Sequence, residues 1–144
     1  MSEASTSPTF VDTNVWLYAF VEDGDQGKSA LASTLIRRGD IVLSTQVVNE
    51  VCVNLLKKAH FPEDRLRQLI DSFYEKYHVA DLQRSTFLSA SDLRVRYSLS
   101  YWDSVIVASA LETGAATLYS EDMQNGLLVN GELRIVNPFA ESHT

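Results

Sequence analysis

Cysteine is almost missing from this chain, with Cys52 the single one in 144 residues. That excludes an internal disulfide framework and calls for no oxidising compartment. In its apolar, helical-looking surroundings Cys52 reads as a small buried thiol. Repeats, low-complexity tracts and Pro- or Gly-rich linkers are lacking too; six glycines and three prolines only punctuate short periodic segments. The opening eight residues, "MSEASTSP", have no basic region and lead into no long apolar run, so a cytoplasmic, soluble chain with no membrane segment is expected. Positive charge is scarce: 12 Lys and Arg face 19 Asp and Glu, a net −7 that argues against a general nucleic-acid binder. The basic residues gather in pairs, among them Arg37-Arg38 and Lys57-Lys58, and on helices such pairs are ordinarily solvated faces. His60, His78 and His143 show no ligand spacing, which with the lone cysteine argues against zinc.

What is present is enough apolar material for a real core, 45% of residues with 10% aromatic, in the length of one ordinary domain. The expected layout is a flexible tail over 1–8, one domain over 9–139 and a short tail over 140–144. "TFV" reads as a buried strand that passes at once into the helix "TNVWLYAF", capped by Thr13 or Asn14. A helix over "QGKSALASTLIRR", stopped by Gly39, precedes the strand "DIVLS". Ser44 or Thr45 opens the helix "TQVVNEVCVNLLKKA", which Pro62 keeps from running on, and "EDRLRQLIDSFYEKY" is amphipathic. A short strand "HVAD", two helices over "RSTFLSASDLRVRYS" and "YWDSVIVASALETG", and the strand "AATLYS" follow. "GLLVNGELRIVNPF" has the Asn-Gly signature of a tight hairpin. Strand-helix alternation of this kind predicts an α/β fold: a three-layer α/β/α sandwich around a short, mainly parallel sheet.

In such sheets ligands collect at the carboxyl ends of the strands. Asp12 follows the first strand directly, and Asp122 follows "TLYSE". Glu50 lies among Val47, Val48, Val51 and Val53, and Asp103 between Tyr101-Trp102 and "VIVASAL". Burying an ionised carboxylate costs several kcal/mol unless a cation or donors compensate. Each acid has a local reading: Asp12 and Asp103 as helix caps, Glu50 as a lysine partner, Asp122 as a turn residue. Four semi-buried acids with no matching base are explained together by one hard cation, Mg²⁺ or Mn²⁺, which takes oxygen ligands.

"FVDTNVWLYAF", "VVNEVCVNLLKK", "YSLSYWDSVIVASAL" and "TLYSEDM" resemble, in order and spacing, the four acidic motifs of the PIN-domain nucleases, and within them the VapC-like toxins of toxin-antitoxin pairs. The resemblance runs from Phe10 to "LRIVNPF". It implies that Asp12, Glu50, Asp103 and Asp122 are the catalytic, metal-binding acids, that Thr13 and Asn14 are the polar followers of the first motif, and that Ser120 is the hydroxyl preceding the last acid. Asn54, one turn after Glu50, either faces the same pocket or points to solvent; Glu121 is expected to face solvent. The function implied is a Mg²⁺-dependent endoribonuclease with RNA as substrate and a cognate antitoxin as partner, bound metal offsetting the negative charge locally. The pairs Arg37-Arg38 and Lys57-Lys58 are then expected near the substrate groove.

Two other classes remain in view: a non-catalytic partner-binding module on the same fold, and an Asp-nucleophile phosphatase, whose chemistry wants a second Asp where this chain has Asn14. Phe73, Tyr74, Tyr77, Trp16 and Tyr18 exceed what one small core plainly needs. Core packing and a homodimer interface, common in the resembled family, both account for them.

Overall fold

The computed structural model describes residues 7–21 and 24–140. The tails expected over 1–8 and 140–144 lie, but for residues 7, 8 and 140, outside the described residues, as does His143. Strand β1 (Thr9–Val11) is separated from helix α1 (Thr13–Phe20) by Asp12 alone. Helix α2 (Gln26–Leu35) leads into β2 (Ile41–Ser44), α3 (Thr45–Lys58) and α4 (Glu63–Lys76) into β3 (His78–Ala80), and α5 (Arg84–Tyr97) and α6 (Tyr101–Glu112) into β4 (Thr117–Tyr119). A hairpin of β5 (Leu128–Val129) and β6 (Leu133–Val136) follows, turning through Asn130 and Gly131 at φ 53° and 70°. That left-handed turn is what an Asn-Gly pair accommodates with little strain.

The strands order as β3-β2-β1-β4-β6-β5, parallel throughout except for β5 against β6. From β1 the chain steps outward through β2 to β3, then crosses back to lay β4 on the other side of β1. Right-handed crossovers in opposite directions put α1–α4 on one face and α5–α6 on the other, the three-layer α/β sandwich expected. Strands β1 and β2 are buried along their whole length, as a strand covered on both faces must be. Helix α6 is buried continuously from Ser104 to Ala110, which explains why its apolar run lacks a polar stripe.

Two local expectations are corrected. Neither Thr13 nor Asn14 caps α1: Asp12 does, because the chain turns from strand to helix within that one residue, and its carboxylate accepts the Thr13 N–H at 2.7 Å. Helix α2 stops at Leu35 rather than at Gly39. Its last turn tightens, Arg37 and Arg38 donating to the carbonyls of Thr34 and Leu35.

Most of the surplus aromatics are core. Trp16 is wholly buried, edge-on to Phe73 and Tyr77 with ring centroids 5.1 and 5.0 Å away, and Tyr18 packs on Phe139. Helix α1 rests on α4 as well as on the sheet, so both sides of its apolar surface are used; of the five, Tyr74 alone is exposed.

Candidate active site

The sheet reverses its strand order between β1 and β4, and a crevice opens at such a point beyond the carboxyl ends. Val11 pairs with Tyr119, so Asp12 and Ser120 leave the sheet side by side. The Asp12 N–H still reaches the Tyr119 carbonyl at 3.0 Å, and the Ser120 N–H reaches Val136 at 3.0 Å. Strand pairing thus holds the backbone on both sides of the crevice. Asp12 is only 8% exposed. One carboxylate oxygen takes the Thr13 N–H and the other the Ser120 hydroxyl at 2.9 Å.

Three further acids converge on the same place. Glu50 comes from the middle of α3, where it accepts the Thr13 hydroxyl at 2.6 Å and the Gln46 amide at 3.1 Å. Asp103 lies in the first turn of α6, half-buried, with its N–H on the capping Ser100 hydroxyl. The carboxylate is therefore at the positive end of that helix. Asp122 follows β4 and accepts the Asn14 side-chain amide. It is exposed, not semi-buried as expected, because the bend after Ser120 lifts it to the mouth of the crevice.

Electrostatics tie the set together. Burial, partly offset by the Thr13 and Ser120 donors and reinforced by the charges of Glu50 and Asp103, pushes the Asp12 carboxyl up to about 6. Burial, then the nearness of Asp122 and Glu50, also raises Asp103 above the usual carboxylate range. The two ion pairs among the described residues, Lys28 with Glu121 and Arg38 with Asp40, touch none of the four acids. Negative charge is concentrated here and met only by neutral donors.

The supporting residues divide. Asn14 and Ser120 each hold one acid, and Thr13 holds two, Asp12 by its N–H and Glu50 by its hydroxyl. Asn54 instead donates to the Glu50 backbone carbonyl at 2.8 Å, beside the pocket rather than into it. Glu121 does not face solvent: although burial alone would raise it, hydrogen bonds from Lys28 and Tyr18 hold its carboxyl below the ordinary value. Arg38 lies at the opposite, amino-terminal edge of the sheet, clamped to Asp40, which also accepts the hydroxyl of Thr9. Charge pairing at the start of β2 therefore takes Arg38 away from the crevice. Lys58 does stand near it, lining a 260 Å³ groove with Asn14, Leu17, Tyr18, Val21 and Asn54. Gln46 was missed, although its place four residues before Glu50 is a helical neighbour's spacing.

In chemistry the donor set fits a hard divalent cation: carboxylate oxygens with no thiolate or imidazole. As the side chains stand, no group of three or more Asp, Glu, His or Cys among the described residues is arranged to hold an ion. Thr13, Asn14, Gln46 and Ser120 each draw an acid to themselves. Mg²⁺, which keeps several waters and takes one or two carboxylates directly, does not need three. The phosphatase geometry is not met, since Asn14 is committed to Asp122. No helix among the described residues is long and apolar enough to cross a membrane.

Residues 9–124 match the PIN domain family model. The comparison with curated proteins finds no match. Among solved structures, a toxin-antitoxin complex from Klebsiella pneumoniae superposes with a TM-score of 0.69 at 20% identity, over 92% of this chain and 98% of that one. The sarcin-ricin-loop-cleaving toxin VapC20 of Mycobacterium tuberculosis gives 0.65 at 18% identity, over 79% and 89%. FitAcB of Neisseria gonorrhoeae gives 0.64 at 15%, over 90% and 97%.

Proposed function

The chain belongs to the PIN-domain family, and from that membership we propose that it is a metal-dependent endoribonuclease of the VapC-like toxin type, acting in the cytoplasm under the control of an antitoxin. One observation carries the reading: a buried carboxyl at the sheet's switch point, pushed up to about 6, with three more acids around it and no ion pair to any of them among the described residues. Such a site gains from a divalent ion what the fold withholds. Asp12, Glu50, Asp103 and Asp122 would hold Mg²⁺, or Mn²⁺ in its place. The bound ion would supply Lewis acidity toward the phosphate and lower the pKa of water.

The chain's own part is positioning. Ser120 and the Thr13 N–H fix both oxygens of Asp12, the Thr13 hydroxyl and Gln46 orient Glu50, and Asn14 steers Asp122. A carboxylate of the set not fully engaged by the ion is suited to take the proton of an attacking water. In-line attack at phosphorus then breaks the bond to the 3′ oxygen, leaving a 5′ phosphate and a 3′ hydroxyl. Support for RNA comes from VapC20, described as cleaving the sarcin-ricin loop. Support for an antitoxin comes from the Klebsiella complex and from the groove of Leu17, Tyr18, Val21 and Lys58, which leads to Asn14 and Asp122.

Incubation with total RNA and Mg²⁺ should give fragments with 5′ phosphates. Chelator, Asp103→Asn or a stoichiometric amount of the antitoxin should suppress them by on the order of a hundredfold. Equal cleavage with and without chelator would refute the carboxylate-metal reading.

A homodimer is proposed on a separate ground. Leu88 and Val95, two turns apart on α5, are 60% and 86% exposed, more than a solitary helix face ordinarily leaves in water. Sedimentation at micromolar concentration should show a dimer that Val95→Glu dissociates; a wild-type chain sedimenting only as monomer removes the idea.

A further inference from the structure

The first turn of α6 places Tyr101, Trp102 and Asp103 in succession, so their side chains fan out about 100° apart. Asp103 turns toward the other acids; its two neighbours do not. Trp102 is 67% exposed and Tyr101 50%, their rings edge-on at 5.4 Å. With Phe87, Leu82, Thr45, Asn49 and Gln46 they line a cavity of about 390 Å³ beside the acid cluster.

Two polar features mark this as more than an uncovered apolar face. Gln46 is buried, and its Nε2 donates to the Glu50 carboxylate at 3.1 Å and to the Trp102 carbonyl at 3.4 Å. Because both partners are acceptors, the amide cannot be turned round. Its Oε1 is left buried with no partner among the described residues, a state that an incoming N–H would relieve. Arg94 lies over the Tyr101 ring, 4.7 Å from its centroid, and donates to the Ser104 hydroxyl at 2.8 Å. Neither ion pair among the described residues involves it. An exposed aromatic plane, a buried unmatched acceptor and a cation without a carboxylate partner are what a nucleotide offers partners for: a π-face, a base N–H and a phosphate.

We propose that this cavity seats one unpaired RNA base, stacked on Trp102 with an N–H toward Gln46, and so selects which phosphodiester reaches the acids. The proposal rests on the nuclease reading above. Every RNA base carries an N–H, so the seat reads strandedness rather than sequence. In a duplex the base faces are covered and the pairing edges are in use. Charge argues against an acidic peptide as the occupant, since Glu50 and Asp103 adjoin the cavity.

The chain has two tryptophans, and Trp16 is fully buried, so RNA-dependent quenching reports Trp102. The test titrates the full chain, in Ca²⁺, with a single-stranded RNA octamer, an abasic octamer of the same backbone and the blunt duplex. Quenching and tight binding are expected for the first, with about tenfold weaker binding of the other two and of the octamer to Trp102→Ala. In Mg²⁺, Trp102→Ala should raise KM for unpaired RNA about tenfold. Equal affinity for the plain, abasic and duplex ligands, no octamer binding up to millimolar, or an unaltered Trp102→Ala would overturn the seat. So would a Trp102 shift that tracks protein concentration without RNA, because a second copy would then cover the cavity. Base-dependent quenching without any cleavage would uphold the seat and refute the nuclease; cleavage without base dependence would do the reverse.

Discussion

Asp12→Asn is expected to abolish metal-dependent RNA cleavage, by on the order of a thousandfold, and at the same time to make the metal-free protein more stable at neutral pH. Asparagine keeps the shape and one oxygen for the Thr13 N–H, while the Ser120 hydroxyl can rotate to accept from the new amide. What it removes is the charge. The Asp12 carboxyl is raised from 3.8 to about 6 in the folded protein, chiefly by burial. Between those values the folded state holds a proton that the unfolded state has released. Stability therefore falls as pH rises through that window, is free of the penalty below about pH 4 and bears it fully above about pH 7. A shift of about two units corresponds to about 3 kcal/mol. Urea midpoints in chelator should drop from pH 5 to pH 7 for the wild type and drop clearly less for Asp12→Asn, in which Asp103 still keeps a raised carboxyl. Added Mg²⁺ should restore the wild type at pH 7 and leave the variant unmoved. A wild-type midpoint that rises from pH 5 to pH 7 would show that Asp12 is not the strained group described.

Trp16→Ala should cost about 3–5 kcal/mol, about a fifth or more of what holds an ordinary domain together. The indole is wholly buried against Phe20, Phe73 and Tyr77, and its Nε1 donates to the Val11 carbonyl at 3.0 Å. That bond ties α1 back to the last residue of β1, on either side of Asp12. Truncation thus opens a cavity and leaves a buried carbonyl unpaired where the carboxylate is aimed. Trp16→Phe fills most of the volume and loses the bond, so it should lose about 1–3 kcal/mol and keep its fold. Denaturant midpoints of the three proteins check the order; a Trp16→Ala midpoint within error of the wild type would mean that the ring cluster contributes little.

The convergence of Asp12, Glu50, Asp103 and Asp122 was readable in the chain because the signals were local: a carboxylate at a strand end, or an acid amid valines. The fold class was readable for a similar reason, since strand-helix alternation with few breakers admits few arrangements. What the chain did not disclose depended on distant partners. Arg38 carries no mark of the Asp40 clamp that keeps it at the far edge of the sheet. Glu121 shows no sign in sequence of Lys28 and Tyr18, which turn it inward. The aromatic surplus leaves core packing and an interface equally open in sequence, because nothing in the spacing of Trp16, Phe73 and Tyr77 says that α1 and α4 meet. The strand before Asp122 is visible in sequence, whereas its exposure follows from the bend after Ser120.

The pairing of β1 with β4 also bears on synthesis. Asp12 and Glu50 leave the ribosome early, yet the crevice needs Ser120 and Asp122, whose strand can dock only after α5 and α6 have crossed back over the sheet, and whose backbone is braced by Val136. Contacts this distant in sequence form late and together. A nascent chain that stops short of β4 carries three of the four acids but not the strand beside which they meet, so the cluster cannot assemble on a half-made copy.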